Sequence, residues 1–161
     1  MSTRCQIGIY EQGDSPIEKP SVLLYKHSDG YPDGVLPTLQ PFCERFRDGR
    51  GLEDTEYLAA WLLFEFMAGH KEWETDFKKK NGAKHFHGME FCGFGICGDR
   101  QIHGDIEYFY RVDPDKIAVF EPVGIWEKYS SKDFDKYDAA KSDLRKWTAR
   151  KTIILKKLAA T

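Results

Sequence analysis

Val22-Leu23-Leu24-Tyr25-Lys26-His27-Ser28-Asp29-Gly30-Tyr31-Pro32-Asp33-Gly34 decides how the first half of the chain is read. An apolar run ends in a lysine and a histidine, and a stretch dense in Asp, Gly, Tyr and Pro follows at once. A strand over 21–27 therefore delivers a shaped loop, not a generic linker. Turn chemistry predicts positive φ at Gly30 and Gly34 and Asx-type hydrogen bonds from Asp29 and Asp33. Pro32 restrains Tyr31 to an extended backbone, which aims its ring in a fixed direction. A helix is expected to begin at Pro37.

Upstream, residues 4–10 alternate, with Cys5, Ile7 and Ile9 on one face, and read as a strand. Residues 11–20 hold Gly13, Pro16 and Pro20 and form a loop, so the first two strands make a hairpin with a long connection. Downstream, Leu39, Phe42, Cys43 and Phe46 give helical spacing over 37–48, stopped by Gly49 and Gly51. A longer helix over 55–79 shows Leu58, Leu62 and Phe66 as its stripe, acids at its start and Lys78-Lys79-Lys80 at its end. Asn81-Gly82 ends it.

Three strands are expected next, at 88–97, 105–112 and 116–122. The first two read as a hairpin through 98–104, with Ile106, Tyr108, Tyr110 and Val112 sharing one face of the second. From Ser130, Tyr137, Ala140, Leu144, Trp147, Ile154 and Leu158 suggest a basic amphipathic helix. The order ββααβββα predicts an α+β fold, with a mainly antiparallel sheet of about five strands and helices packed on one face. A core over 1–128 and a C-terminal helix over 129–161, packed on it or extending from it, complete the expected organisation.

With 161 residues, 41% of them hydrophobic, the chain can bury a core without staples. A net charge of −2 gives no overall field for nucleic acid. The charge is uneven, though: seven basic residues against one acid from Lys141 onward give +6, which leaves about −8 on the first 140 residues. No apolar run approaches a membrane span, and the start has no apolar signal region. Four cysteines without framework spacing read as reduced thiols, and the expected location is the cytoplasm.

His85 and His87, with Cys92, Cys97 and His103 nearby in sequence, invite a metal reading. The spacing argues against it. Cys92 and Cys97 differ by five and face opposite sides of a regular strand, and His103 in a hairpin turn would stand roughly 30 Å from the histidine pair. The thiols read as ordinary buried ones, and Gly93, Gly95 and Gly98 as bulge and turn glycines. No metal and no cofactor is expected.

Several stretches together resemble a group of small uncharacterised proteins of phages and prophages. They are Ser2-Thr3-Arg4, the Tyr25-Lys26-His27-Ser28-Asp29-Gly30-Tyr31-Pro32 loop, Leu58-Ala59-Ala60, and Asp105-Ile106-Glu107-Tyr108. The likeness covers roughly residues 2–120. It implies a mobile-element source and action by binding a host protein, including host-defence components. It implies no reaction.

The expected contact residues are Tyr25, His27, Asp29, Tyr31, Asp33 and Glu107, with Arg150 and Lys151 on the C-terminal helix. The partner is expected to be a host protein. Nucleic acid could bind the basic helix, and a homodimer through an aromatic surface is a third reading. The alternative function is a small hydrolase or nuclease, in which His27, Asp29, Asp33 and Glu107 would gather around a divalent cation.

Overall fold

The computed structural model describes residues 2–13, 19–82, 93–125, 128 and 133–156. Six strands form one mixed sheet, with the helices outside it. In chain order the elements are β1 (Cys5–Ile9), β2 (Val22–Lys26), α1 (Pro32–Gly49), α2 (Thr55–Asn81), β3 (Phe94–Ile96), β4 (Tyr108–Val112), β5 (Lys116–Glu121), α3 (Phe134–Lys141), a 3-10 turn (Leu144–Lys146) and β6 (Thr148–Ile154). The strands lie side by side as β3-β2-β1-β4-β5-β6. β1 and β2 pair as the expected antiparallel hairpin.

The class is α+β, but the sheet is not purely antiparallel, because β1 and β4 run parallel in its centre. The expected hairpin between the strands at 88–97 and 105–112 does not form. β3 pairs with β2, while β4 pairs with β1 and β5, so the two stand on opposite sides of the β1–β2 hairpin. The connection between them crosses a face of the sheet, held there by Gln6. Gln6 is fully buried; its amide donates to the Gln101 carbonyl (3.1 Å) and its oxygen accepts from the His103 N–H (3.0 Å). Ile106, expected beside Tyr108 and Tyr110, packs on the other side of the sheet from them. The part of the expected strand over 88–92 lies outside the described residues, as do His85, His87 and Cys92.

Period-2 alternation sorts the side chains onto two buried faces. Cys5, Ile7, Ile9, Leu24, Tyr110, Val112, Ile117 and Val119 meet Val35, Leu39 and Phe42 of α1 and Leu58, Leu62 and Phe66 of α2. On the opposite face, Leu23 and Phe109 lie under Ile106, Ile125, Ala140, Leu144 and Trp147. Helical residues therefore cover both faces, not one as expected. The reason is that β2 and β4 carry large apolar side chains at odd and even positions alike, and each face needs a cover.

α1 begins five residues earlier than expected, with Pro32 in its first turn, where a missing N–H costs nothing. Pro37 and Pro41 then fall inside it, four residues apart and both exposed, so the carbonyls they leave unbonded face water. The buried stripe of Val35, Leu36, Leu39, Phe42 and Cys43 outweighs that loss.

The C-terminal basic helix is corrected most strongly. A helix of eight residues, α3, stops at Ser142-Asp143, and Thr148–Ile154 becomes an edge strand paired with β5. Thr148, Thr152, Ile153 and Ile154 are β-branched and prefer the pleated surface. Arg150 and Lys151 are thus strand residues, and Arg150 pairs with Glu121 (2.8 Å). Arg145 is likewise held by Asp143, and Lys141 is buried. The nucleic-acid expectation rested on a continuous cationic helix, and that helix is not formed. Among the described residues, no helix is long and apolar enough to cross a membrane.

Candidate functional site

The loop after β2 is clamped to the sheet by its own neighbours. Lys26 is buried, and its ammonium donates to the carbonyls of Ser28 and Asp29, the latter at 3.1 Å. Burial pulls that ammonium below the usual lysine range. Gly30 donates to the Thr3 carbonyl (2.9 Å), and its own carbonyl accepts from the buried Tyr110 hydroxyl (2.8 Å). His27 donates its backbone N–H to Gly93 (2.8 Å).

The turn chemistry differs from expectation. Asp29, at φ +52°, takes the left-handed conformation, and Gly30 and Gly34 do not. Aspartate is among the residues that tolerate this region. The two glycines are required by proximity instead: a Cβ on Gly30 would stand 2.8 Å from Arg4 C and Cys5 N, and one on Gly34 would collide with the Asp29 carbonyl. The loop backbone is held by Lys26 and Tyr110, in place of the side-chain caps expected from Asp29 and Asp33. Tyr31 occupies the N-cap position of α1 with extended backbone, as Pro32 requires, and makes no side-chain cap.

Beside this loop lies a cleft of about 570 Å³. β2 and its loop supply Lys26, His27, Ser28, Asp29 and Tyr31; α2 supplies Phe66 from its middle and His70, Trp73 and Phe77 from its later turns; Phe94 on β3 also lines it. Phe66 and Phe94 stack at 6.1 Å, and His70 meets Phe94 edge-on at 5.8 Å. Trp73 packs on Phe77 at 5.4 Å yet remains 53% exposed, and Tyr31 is 41% exposed. An aromatic interior with a few polar groups at its edge is the general form of a ligand-binding cleft.

Of the expected contact residues, His27, Asp29 and Tyr31 line this cleft. Tyr25 does not; it lies beneath the opposite face, with its hydroxyl 3.1 Å from His27 Nδ1 and its ring 5.8 Å from His103. Asp33 is exposed on the first turn of α1, and Glu107 is exposed just before β4, donating its N–H to the Arg4 carbonyl. Neither lines the cleft. Arg150 and Lys151 stand on the edge strand farthest from β3, so five inter-strand steps place them roughly 24 Å from the cleft side of the sheet. They belong to no common site with the loop. Among the described residues, no three His, Cys, Asp or Glu side chains are grouped to hold a metal ion.

Lys26, His70, Trp73, Phe77 and Phe94 are among the lining residues that the pattern did not single out. One signal was present: Trp73 and Phe77 continue the apolar stripe of Leu62 and Phe66 beyond the part of α2 that the sheet covers.

The three described thiols, Cys5, Cys43 and Cys97, are buried. Burial pushes those of Cys5 and Cys43 up to about 12 and moves Cys97 in the same direction. At about pH 8 the reactive thiolate is therefore scarce at all three. Native protein treated with iodoacetamide is expected to leave Cys5 and Cys43 unalkylated by mass spectrometry, while the unfolded chain reacts at both. Rapid native labelling at either would overturn this assignment.

No family model matches the chain, and no curated protein or solved structure is significantly similar to it.

Proposed function

We propose that the protein works by binding a partner protein of a host cell, receiving an apolar side chain of that partner in the cleft beside the Asp29–Tyr31 loop. The cleft carries this reading. Its aromatic interior stays open to water, with Trp73 and Tyr31 at its edge, and burial within the chain does not account for either ring. Tyr and Trp are the residue types that concentrate binding energy at interfaces. The loop is already clamped by Lys26 and Tyr110, so little ordering remains to be done when a partner arrives. The resemblance to phage and prophage proteins supports a host-defence component as the kind of partner.

The test is capture from a host lysate by wild type and by Tyr31→Ala/Trp73→Ala. The double variant is expected to lose at least about tenfold in affinity for the captured protein, with the melting temperature lowered by no more than about 2 °C. Capture at wild-type strength would remove the cleft from the function. A large loss of stability would make the two rings architectural. Asp29 is better probed as Asp29→Asn than as Asp29→Ala, because asparagine tolerates the left-handed backbone found there.

A further inference from the structure

Helix α2 is apolar on two sides. Leu58, Leu62 and Phe66 face the sheet, whereas Tyr57, Trp61, Phe64 and Met67 point away from it, each between 49% and 60% exposed. A helix that is hydrophobic all round is ordinarily covered all round. We infer that this outer face is a two-fold interface with a second copy of the chain, formed by antiparallel packing of the two α2 helices across Phe64.

The residue pattern is self-complementary about that point. Phe64 at the two-fold axis meets Phe64 of the second copy, and positions whose numbers sum to 128 stand opposite each other. Trp61 then faces Met67, a favourable sulfur–aromatic contact. Ala60 faces Ala68, small against small, which lets the helices approach closely. Tyr57 faces Lys71, and Glu56 of one copy comes within a turn of the same lysine.

The ends of α2 differ in sign, with Glu56 in the first turn and Lys78, Lys79 and Lys80 in the last. Running in opposite directions keeps the two like-charged ends apart; in the register centred on Phe64 the lysine cluster extends past the second copy's α2, and the approach of Glu56 to Lys71 is the charge contact. Lys71 already pairs with Glu74 at 3.2 Å, but its side chain is 62% exposed and can serve both carboxylates.

The size also fits. Four large side chains at about half exposure offer roughly 400 Å² of apolar surface. A stable dimer buries about 800 Å² per partner, with an apolar centre and a polar rim. Arg45, Arg50, Glu65 and Lys71 border the patch and supply that rim. A groove of about 320 Å³ between α1 and α2, lined by Phe42, Phe46 and Trp61, adjoins the patch. This surface is separate from Tyr31 and Trp73, so the inference and the cleft reading fail independently.

Sedimentation velocity on the full chain, from the low micromolar range upward, is expected to show a monomer–dimer equilibrium. Phe64→Glu should weaken it by about 100-fold, with circular dichroism unchanged because Phe64 takes no part in the core. Lys71→Glu should weaken it several-fold, and adding Glu56→Lys should restore it.

Disulfide trapping fixes the orientation. Phe64→Cys should cross-link to itself. Lys71→Cys should not, since its two copies stand roughly 20 Å apart along the helices, yet it should link to Tyr57→Cys in a mixture. A chain that stays monomeric, a dimer that survives Phe64→Glu, or equal self-linking at positions 64 and 71 would overturn the proposal.

Discussion

Gly30→Ala is expected to destabilise the protein by about 3 kcal/mol or more. For a chain of this length that is a fall in melting temperature of roughly 6–12 °C. The added methyl would stand 2.8 Å from the carbonyl carbon of Arg4 and the amide nitrogen of Cys5. Both are backbone atoms at the start of β1, whose side chains from Cys5 to Ile9 are buried on both faces. The strand cannot retreat without disturbing its pairing with β2 and β4. Nor can the loop swing outward cheaply, because that would break the Gly30–Thr3 bond and strip Tyr110 of its acceptor.

Gly49→Ala is the matched control. A Cβ there meets nothing within 4 Å, so thermal melts should show no loss and, from helix propensity, a slight gain. Equal melting temperatures for Gly30→Ala and wild type would mean that the loop does not lie against β1 as described.

Gln6→Leu is expected to cost about 3 kcal/mol for a different reason. The substitution keeps the volume near that of glutamine but strands the Gln101 carbonyl and the His103 N–H, both of which the Gln6 amide now satisfies. It also removes the donor to Cys97 Sγ at 3.2 Å. The damage should be local before it is global. Hydrogen exchange at the His103 amide should accelerate far more than at amides of β5, while Gln101→Ala, whose exposed side chain is not the bonded group, should be nearly neutral. Uniform exchange across the sheet after Gln6→Leu would mean that the 97–103 crossing is held by something other than this side chain.

Much of the local structure was legible because it follows short-range rules. Alternation located β1, β2 and the paired part of β4. Helical spacing with Asn81-Gly82 located α2 to within two residues of its end. The same rules misread the C-terminus, where Trp147, Ile154 and Leu158 fit a helical period while the β-branched run from Thr148 fits a strand. Period alone could not choose between them, and pairing with β5 did. The candidate site was half legible. The Asp29–Tyr31 loop advertised itself through composition, but the aromatic wall from α2 carries the same spacing as an ordinary core stripe.

By itself the amino-acid sequence determined what neighbours along the chain can settle. It set the class, most element boundaries, the shaped loop after β2 and the extended backbone of Tyr31 before Pro32, because φ/ψ preferences and side-chain periods act within a few residues. Only the tertiary structure decided which strands pair, and therefore that β1 and β4 run parallel, that residues 97–107 cross the sheet instead of turning back, and that Gly30 is held to glycine by β1 and not by its own φ. Those outcomes depend on which distant surfaces bury each other and on how close two backbones come, and no local pattern encodes a distance between residues that are far apart in the chain.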